Sequence, residues 1–461
     1  MIFSIDIELD QELDKNSSRV YDVVHIFGIP LSDRSIKIVD KIEVDIKPGD
    51  IVYITGESGA GKSLLLNELI KHITNYKGIF GRITLEKDIH IEDDEVLIES
   101  IGNNTEDAIR LLSMVGLNDA YLFIKRYKEL SEGQKYRYRI AKVIASNYDT
   151  RKVVVFDEFC SLLDRDTARV VAYMLAKICK TRGYTLLVAT AHDDLLYDLN
   201  PSVIIRKYYG SRADVIYNSN NSIHECSVLK NMSIEEGNIN DWYALEEFHY
   251  RSGKPFGIKY IFRAMIDNTN AGVIIYSMPP LSCKGRNIAL GRIVSPDEVN
   301  RDFITISRVV VSPRFRGIGI GTMLVRNTIQ RVGKRYVESI AIMGRYNPFL
   351  VKAGMKEVVY EPDSKYTKVM DKLEHYGFNR LLAASKDFCY GILQSMSDDD
   401  INRIREIVCN VRFAVKNAVG RSTEYSSNVL YDKHILAKAI ANIALLAEKK
   451  YYYIWENKLM G

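Results

Sequence analysis

The stretch GESGAGKS at residues 56–63 decides the fold of the amino-terminal third. Before it lies the apolar run IVYIT (51–55), typical of a short buried strand, and residues 64–73 after it have the apolar spacing of a helix. Its three glycines permit backbone conformations that point successive N–H groups at phosphate oxygens. Lys62 would then bridge the β- and γ-phosphates of a nucleoside triphosphate, and the Ser63 hydroxyl would ligate Mg²⁺. A glycine-rich turn is the alternative, and the flanking strand and helix favour the phosphate loop.

A second segment, RKVVVFDEFC (151–160), supports this interpretation. Its apolar residues predict a central strand buried on both faces, so that Asp157 and Glu158 emerge at the carboxyl edge of the sheet, beside the phosphate loop. There Asp157 would hold Mg²⁺ through water, and Glu158 would act as general base toward the attacking water. A further strand, TLLVATAH (185–192), is predicted to close on His192.

Together with ELSEGQ (129–134) and SLLD (161–164), these motifs resemble those of an ABC-type ATPase over about residues 18–208. By this resemblance, GESGAGKS is the Walker A loop and VVVFDE is the Walker B strand with its catalytic glutamate. LSEGQ is similar to the signature LSGGQ, with Glu132 in place of a glycine. His192 matches the switch histidine that senses the γ-phosphate.

The resemblance also implies cofactors and site residues. The family binds and hydrolyses ATP with Mg²⁺, which here assigns the metal to Ser63 and Asp157 and catalysis to Glu158 and His192. The remaining motif positions, together with one aromatic residue upstream, make up the expected ATP site. Its residues are Phe27, Gly56, Glu57, Ser58, Gly59, Ala60, Gly61, Lys62, Ser63, Ser131, Gly133, Gln134, Asp157 and Asp164.

Two positions of the family pattern need separate treatment. No glutamine lies between Ser63 and the signature, so the Q-loop glutamine is missing, and Glu92 is the nearest positional substitute. The aromatic residue expected to stack on adenine is Phe27, with Tyr21 as the second candidate. Surface exposure or core packing would explain either ring equally well.

Quaternary structure and location follow as expectations. In the family the signature acts in trans, and one set of motifs per chain implies a head-to-tail homodimer that encloses two ATP molecules. No apolar run approaches the roughly 18 residues of a membrane helix. The six cysteines form no CxxC pair, as in a reducing cytosol, and MIFSIDIELD (1–10) is unlike a signal peptide. We therefore expect a cytoplasmic protein without a membrane partner.

A second set of motifs follows a polar linker predicted at 211–227. FITISRVVV (303–311) is rich in β-branched residues and predicts a strand, and RGIGIG (316–321) opens the next helix. Glycine again permits close approach of backbone amides to a pyrophosphate at a helix N-terminus. A dinucleotide fingerprint would require G-x-G-x-x-G and an acidic residue after the next strand. The sequence instead has R-x-x-G-x-G, preceded by V-V-V-S-P.

This pattern resembles motif A of the GNAT-type acetyltransferases over about residues 226–370, and NPFLVKAGM (347–355) resembles motif B. The resemblance implies acetyl-CoA as a further cofactor, with its pyrophosphate on the amides of the glycine loop and its pantetheine along the preceding strand. The residues expected to bind acetyl-CoA are Val309, Val310, Val311, Arg316, Gly317, Ile318, Gly319, Ile320, Gly321, Thr322 and Asn347.

Acyl transfer requires a base for the acceptor amine and a proton for the leaving thiolate. Many GNAT enzymes use a strand Glu and a motif B Tyr, but this strand has no carboxylate after Asp302 and motif B offers Phe349. His249 and Tyr250, in EEFHYRSGKP, are chemically suited as base and acid, and Tyr346 is another candidate acid. A helix C-terminus with favourable charges is the alternative for the first pair, and core packing is the alternative for Tyr346.

The charge distribution bears on the acceptor. Residues 241–370 carry 20 Lys and Arg against 11 Asp and Glu, a net charge of +9, whereas the whole chain carries +4. Such an excess favours anionic partners. The HY segment resembles the acceptor region of Mom-like DNA-modifying acyltransferases, so DNA or tRNA is a candidate acceptor. The insertion 278–302, with Pro279, Pro280, Lys284, Arg286 and Arg292, would either grip phosphates or form a solvated loop.

The complete prediction is an α/β protein that resembles the ABC-type ATPase–acetyltransferase fusion proteins. A P-loop ABC ATPase domain (1–210) and a linker (211–227) precede a GNAT α+β domain (228–372) and a helical C-terminal extension (373–461). The aromatic end YYYIWENKLM is expected to pack on the acyltransferase domain rather than to stack on bases. The alternative function is a nucleic-acid-binding ABC ATPase whose GNAT fold only holds CoA or another ligand. Further predicted elements are strands at 228–234, 259–266, 271–277 and 337–343 and a helix at 242–249.

Overall fold

The computed structural model describes residues 1–11, 14, 17–29, 34–146, 151–218, 224–249, 254–341, 344, 346–419 and 427–460. The chain divides into two compact units. The first unit comprises Met1–Ser277, Ile306–Gly333 and Tyr346–Ala353, and the second comprises Met278–Thr305, Lys334–Arg345 and Gly354–Gly461. Each unit draws on several chain segments, whereas the sequence suggested consecutive domains.

The strands of the described residues are β1 (Ile2–Gln11), β2 (Arg34–Asp45), β3 (Ile51–Gly56), β4 (Arg82–Leu85), β5 (Lys152–Phe156), β6 (Thr185–Ala189), β7 (Val203–Lys207), β8 (Ala213–Tyr217), β9 (Met232–Glu236), β10 (Ile258–Ile266), β11 (Thr269–Ser277), β12 (Phe303–Val311), β13 (Tyr336–Ile340), β14 (Lys356–Tyr360) and β15 (Lys450–Glu456).

The α-helices of the same residues are α1 (Ser18–Phe27), α2 (Lys62–Thr74), α3 (Lys77–Phe80), α4 (Thr105–Met114), α5 (Ala120–Phe123), α6 (Glu132–Ala145), α7 (Arg165–Arg182), α8 (Leu196–Leu199), α9 (Ile239–Tyr243), α10 (Lys284–Leu290), α11 (Pro296–Asp302), α12 (Ile320–Thr328), α13 (Phe349–Lys352), α14 (Ser364–Glu374), α15 (Lys386–Ser395), α16 (Asp398–Cys409), α17 (Arg412–Val419) and α18 (Lys433–Leu446).

A six-stranded sheet in the first unit has the order β4-β5-β6-β3-β7-β8. The pairs from β4 to β7 are all parallel, and β8 alone runs antiparallel to its neighbour. Every residue of β5 and β6 is buried, as expected of parallel strands covered on both faces. The carboxyl ends of β5, β6 and β3 therefore lie side by side at one edge, where the three predicted nucleotide motifs follow.

The boundaries of several predicted elements change in the first unit. β8 lies inside the stretch expected to be a linker, because its backbone pairs with β7 over Val203–Lys207. Residues predicted to start a strand form a 3₁₀ turn, Ser227–Asn231, and the strand begins only at β9. From β9 onward, neighbouring strands of the sheet have the order β9-β10-β11-β12, and β10 is antiparallel to both of its neighbours.

The helix predicted at 242–249 is wrong in its position. Asn238 caps α9 at an earlier point, since its side chain accepts from the Asn240 N–H at 2.9 Å and Asp241 reciprocates at 2.7 Å. Trp242 then turns into a core with Val273, Ile275 and Val310. Only a 3₁₀ turn, residues 246–248, follows this short helix.

The second unit combines strands with a helical cluster. Its sheet places β15 between β13 and β14, antiparallel to both, and β13 pairs in parallel with Phe303, Ile304 and Thr305 of β12. The prediction that residues 373–461 are helical is therefore wrong for Lys450–Glu456, where a run of aromatic and β-branched residues favours a strand. Helices α14–α18 enclose a separate apolar core that runs from Tyr366 to Ala447.

Among the described helices, none combines the length and the apolar character that a bilayer crossing requires.

Candidate nucleotide and acyl-CoA sites

The predicted phosphate loop joins β3 to α2 within the first unit. Gly56 has a φ of 145°, and a Cβ there would lie 2.0 Å from the carbonyl oxygen of Lys207, so this position requires glycine. Gly61, with a φ of 95°, precedes the thirteen-residue helix α2. The loop therefore wraps the N-terminus of a long helix, where unpaired backbone N–H groups and the helix dipole favour an anion.

Lys62 is positioned by its own loop. Its ammonium donates to the carbonyl oxygens of Gly56 at 2.9 Å and Glu57 at 2.7 Å. These bonds use two of its three donors, which leaves one for a phosphate oxygen. Burial lowers the pKa of Lys62, and the negative charges of Asp157 and Glu158 oppose this shift. The two predicted motifs therefore interact electrostatically across the edge of the sheet.

The acidic pair lies where β5 ends. Asp157 and Glu158 are both exposed, and the Glu158 N–H donates to the Asp157 carboxylate at 3.0 Å. Glu158 has a φ of 49° and Cys160 a φ of 57°, in the left-handed region that non-glycine residues rarely occupy. The intervening Phe159 is buried, and its N–H donates to the carbonyl of Ala189 at 2.9 Å, which holds this turn against β6. Such backbone strain is typical of functional sites.

His192 lies three residues beyond the end of β6, so the strand predicted to close on it is shorter than expected. Its loop is fixed to β3, because the Tyr53 hydroxyl donates to the His192 carbonyl and the Thr55 hydroxyl donates to the Asp193 carboxylate. Arg206 of β7 pairs with the same carboxylate at 3.2 Å. These contacts hold His192 at the edge that also carries the phosphate loop and the acidic pair.

The predicted signature begins helix α6. Ser131 is its N-cap, with its hydroxyl 3.4 Å from the Gln134 N–H, and the Gln134 side chain accepts from the Ser131 N–H at 3.1 Å. This capping box leaves Gly133 in the first turn. Glu132, which replaces a glycine of the family pattern, is exposed and pairs with Lys135 at 2.9 Å. The helix therefore presents a carboxylate at the end that would otherwise favour phosphate.

Other contacts to the phosphate loop were not predicted. The Tyr209 hydroxyl donates to the Ser58 carbonyl at 2.9 Å. Ile38 packs so close to the loop that a Cβ on Gly61 would lie 2.7 Å from it. Neither Tyr209 nor Ile38 belongs to a recognisable motif. Only a search for hydrophobic or aromatic residues in or next to the neighbouring strands could have suggested their contacts with the loop.

The predicted adenine-stacking residues lie on α1. Phe27 is its last residue and is 73% exposed, and Tyr21 is 44% exposed. Their role at adenine stays a prediction. Glu92, the substitute for the missing Q-loop glutamine, is exposed and lies 2.6 Å from the ring of His90.

The residues present fit a magnesium ion bound together with a nucleotide. Ser63 lies in the first turn of α2, and Asp157 directly follows β5. A hydroxyl and a carboxylate are oxygen ligands of the kind Mg²⁺ prefers. The described residues contain no group of three or more His, Cys, Asp or Glu that could hold a metal by themselves. Mg²⁺ suits such a sparse donor set, because it usually keeps waters and takes substrate phosphates as ligands.

The predicted acetyl-CoA loop follows β12, whose predicted bounds are confirmed. Gly317 has a φ of 94°, and Gly319, with a φ of 102°, precedes the nine-residue helix α12. A Cβ on Gly319 would meet nothing within 4 Å, so this side of the loop is open. A Cβ on Gly321 would lie 3.8 Å from Val311 and 3.9 Å from Val309, which places these strand residues beside the loop.

Several loop residues hold the loop in shape. The side chains of Ile318, Ile320 and Val310 are buried. In the sequence-based prediction, only the backbone amide of Arg316 binds the pyrophosphate. Its side chain is buried, and the guanidinium donates to the carbonyls of Val311 at 3.0 Å and Phe248 at 3.2 Å. Thr322 is half-buried in the first turn of α12.

The residues predicted for acyl transfer are only partly described. The ring of His249 lies edge-on to Trp242, with centroids 5.7 Å apart, and its neighbour Phe248 is the residue held by Arg316. Tyr250 lies outside the described residues. Tyr346 is half-buried, and the carbonyl of Asn347 accepts from the Phe349 N–H at 2.8 Å, which begins α13. Their roles stay predictions.

Arg286 neither grips phosphate from a loop nor lies in solvent. It belongs to α10 and is 1% exposed, with its guanidinium 2.6 Å from the carboxylate of Glu338 on β13. Tyr452 and Thr305 donate to the same carboxylate at 2.6 and 2.9 Å. The expectation of a phosphate grip is wrong for Arg286, since its guanidinium bonds to Glu338 and to the carbonyls of Pro280 and Leu281. For Lys284 and Arg292 it stays a prediction.

Comparisons with known proteins agree with these two loops. The family model described as ABC transporter matches residues 39–161, and the model described as acetyltransferase (GNAT) family matches residues 230–345.

The relatives match less than half of the chain. A methionine import ATP-binding protein MetN of Mannheimia succiniciproducens is 27% identical over 222 residues, which cover 41% of this chain and 61% of that protein. A MetN of Carboxydothermus hydrogenoformans is 31% identical over 190 residues, with 34% and 54% covered. The chain thus spans little more than half the length of these curated relatives.

Two solved structures are also similar in part. The dimeric structure of MJ0796, a bacterial ABC transporter cassette, is 17% identical with a TM-score of 0.34, and the match covers 47% of this chain and all of that one. The structure of cbiO1 from Clostridium perfringens is 21% identical with a TM-score of 0.32, and covers 47% and 89%.

Proposed function

Because the chain carries an ABC ATPase domain and a GNAT acetyltransferase domain, we propose that it hydrolyses ATP and transfers an acyl group from acetyl-CoA under control of that hydrolysis. The observation that carries this proposal is the preservation of both phosphate-binding loops. Each has left-handed glycines and precedes a helix of at least nine residues. Two such loops in one chain support two phosphorylated ligands.

In the ATPase step, Lys62 and the backbone amides of its loop bind the β- and γ-phosphates. Glu158 accepts the proton of the attacking water, whose oxygen forms a bond to the γ-phosphorus as the bond to the β,γ-bridging oxygen breaks. His192 holds the γ-phosphate from the neighbouring strand end. Ser63 and Asp157 would hold Mg²⁺, which neutralises negative charge on the phosphates when bound.

The proposed ATPase is a head-to-tail homodimer. Ser131, Gly133 and Gln134 of one copy would cap the nucleotide held by the other, since the family signature acts in trans. The exposed N-terminal turn of α6 supports this arrangement. A location in the cytosol is part of the proposal, supported by the six free cysteines.

In the acyl-transfer step, the acceptor nitrogen attacks the thioester carbonyl, a C–N bond forms and the C–S bond breaks. His249 is the proposed base that takes the proton of the amine, and Tyr346 or Tyr250 would return a proton to the CoA thiolate. The link from the glycine loop through Arg316 to Phe248 supports His249, because it holds the adjacent residue next to that loop.

DNA or tRNA is the proposed acceptor. The support is the net charge of +9 on residues 241–370, which suits a polyanion. The second candidate is an ABC ATPase whose GNAT fold binds CoA without transferring its acyl group. This second candidate is favoured because β12, as described, contains no Asp or Glu, whereas many GNAT enzymes use a carboxylate on this strand.

One assay tests these proposals together. ATP hydrolysis by the purified chain is measured with and without DNA or tRNA, in the presence of radiolabelled acetyl-CoA. Hydrolysis stimulated by nucleic acid, with label on the nucleic acid, is the expected result. Label on neither nucleic acid nor protein, with acetyl-CoA still bound, would favour the second candidate. No hydrolysis under any condition would contradict the ATPase proposal, and Lys62→Ala supplies the background rate.

A further inference from the structure

A cavity of about 450 Å³ in the first unit adjoins both the signature and the turn that leads into the acetyl-CoA loop. Its volume is within the range of small-molecule sites. Ser131, Gly133 and Gln134 line one side, Asp164 lines another, and Pro313 and Arg314 complete it. Residues of the two motif sets thus share one cavity.

Arg314 makes the most direct contact between the two motif sets. It lies on the 3₁₀ turn Pro313–Phe315, immediately before the glycine loop. Its guanidinium is 2.6 Å from the carboxylate of Asp164 and 3.0 Å from that of Asp166. Although burial opposes it, hydrogen bonds from Thr167 and Arg314 keep the pKa of Asp164 below its ordinary value. Asp164 is the residue that matches the D-loop of the ATPase motifs.

Three further contacts tie the same loop to the ATPase helices. Arg137, two turns into the signature helix α6, donates to the Arg314 carbonyl at 3.1 Å. Arg316 lies 3.6 Å from Asp119, and both side chains are buried. A Cβ on Gly317 would be 2.1 Å from the sulfur of Met174 on α7, so the loop backbone lies directly on that helix.

The charged side chains that line the cavity are two arginines and one aspartate, and their net positive charge favours an anion. Arg137 is 3% exposed and, among the described residues, pairs with carbonyl oxygens and a sulfur rather than with a carboxylate. Burial, together with the nearby Arg316, lowers the pKa of Arg137 to about 10, so it remains charged at neutral pH. The Nε atom of Arg314 is buried and has no hydrogen-bond partner among the residues that the structure describes. Two guanidinium groups therefore face a space bordered by the signature.

We propose that Arg314 takes part in both the ATP site and the acetyl-CoA site. It faces the γ-phosphate of the ATP held by the partner copy, and it sets the shape of the acetyl-CoA loop. The binding of ATP and the binding of acetyl-CoA are therefore linked through this residue. This inference rests on the homodimer of the proposed function. Its occupant is a nucleoside triphosphate held by a second copy of this chain, since only that dimer brings phosphates to the signature side of the cavity.

These contacts also predict whether ATP strengthens or weakens the binding of acetyl-CoA. In the structure, Arg314 is bound to Asp164 and Asp166, and the Gly319 side of the glycine loop is open. A triphosphate in the cavity repels these carboxylates and attracts the guanidinium, which shifts the turn that precedes the loop. ATP should therefore weaken acetyl-CoA binding, and by linkage acetyl-CoA should weaken ATP-dependent dimerisation, with the factor at one site counted once for each copy in the dimer. Couplings between sites commonly amount to about 5- to 150-fold.

The test uses the full chain with Glu158→Gln, which should bind ATP without hydrolysing it. Acetyl-CoA affinity is measured by calorimetry with and without Mg-ATP, and dimerisation is followed by light scattering. Arg314→Ala is the test variant, and Arg314→Lys is the conservative one, because lysine keeps the positive charge but replaces the planar guanidinium with a single ammonium group. Arg326→Ala on α12, which removes a guanidinium bonded to the Lys352 carbonyl, is the matched control.

We expect ATP to weaken acetyl-CoA binding about fivefold or more in the Glu158→Gln protein and in the Arg326→Ala control. Arg314→Ala should show one affinity in both nucleotide states, and Arg314→Lys should restore part of the difference. An Arg314→Ala protein that binds acetyl-CoA more weakly but keeps the full ATP effect would reduce Arg314 to a structural role and overturn the inference.

The inference and the proposed function fail differently. The linkage would be overturned if the protein forms an ATP-dependent dimer whose acetyl-CoA affinity is the same with and without ATP, or is higher with ATP. Either result would leave the proposed function intact. Failure to form a dimer with ATP, or to bind acetyl-CoA at all, would overturn both.

Discussion

The guanidinium of Arg286 and the carboxylate of Glu338 lie 2.6 Å apart, and their side chains are 1% and 2% exposed. The pair is bidentate, since Arg286 Nε also donates to Glu338 at 3.0 Å. The remaining donors of Arg286 reach the carbonyls of Pro280 and Leu281. A charge buried this deeply is tolerated only because each group has its partners.

Glu338→Gln should therefore be strongly destabilising. It leaves the Arg286 charge buried and uncompensated, which costs about 3–5 kcal/mol of the free energy of unfolding. Urea denaturation measures this loss. The double variant Arg286→Met with Glu338→Gln should lose less than Glu338→Gln alone, because no unpaired charge remains. Equal losses in the single and double variants would show that the ion pair is not the cause.

Lys62→Ala should weaken ATP binding about 10- to 150-fold, since a hydrogen bond to a charged group contributes about 1.5–3 kcal/mol. Lys71→Ala is the matched control, because Lys71 lies on the same helix, α2, and pairs with Glu68 at the surface. Titration with a fluorescent ATP analogue compares the two. Similar affinities for both variants would contradict the assignment of the phosphate loop.

Glu132→Gln should promote the ATP-bound dimer. The Glu132 carboxylate lies in the first turn of α6, where a like charge about 4 Å from a phosphate costs about 1 kcal/mol in water, or about fivefold in an equilibrium constant. ATP-dependent dimerisation in the Glu158→Gln background is the measurement. Glu106→Gln, which changes a half-buried glutamate in the first turn of α4 that pairs with Arg110, should leave dimerisation unchanged.

The stability of the first unit should depend on pH through Lys152. This side chain is 1% exposed at the start of β5, and burial, with the nearby Arg82, lowers its pKa from 10.5 to about 8. Between these values the unfolded chain binds the additional proton, so the Lys152 contribution to stability rises as pH increases from about 8 to 10.5.

Lys152→Met removes this dependence, so the melting temperature of the variant relative to wild type should fall as pH is raised from 7 to 10.5. Lys71→Met, at an exposed site, controls for the loss of a charge. A constant difference between Lys152→Met and wild type over this range would show that Lys152 stays fully charged in the folded protein.

Local patterns were sufficient to predict the conformation of the two glycine loops. The strand and helix around residues 56–63 and the strand at 303–311 occur where the sequence predicts them. Glycine spacing, β-branched runs and helical periodicity are properties of neighbouring residues, and the conformations they favour are short-range. The acidic pair after β5 could be found for the same reason.

Shorter or less regular segments were harder to predict. β8 and β15 have strand-forming residues but were assigned to a linker and a helical tail, because pairing partners decided their conformation. β15 pairs with β13, more than a hundred positions earlier in the chain. No local pattern carries information about so distant a neighbour.

By itself, then, the sequence determined that the chain contains two glycine loops at helix N-termini and an acidic pair at a strand end, since backbone sterics and burial dictate these features locally. Only the tertiary structure decided that Arg286 is buried against Glu338, 52 positions away, and that Arg314 lies on Asp164, 150 positions away. An arginine has the same charge wherever it stands, and which carboxylate it meets depends on how the strands and helices pack.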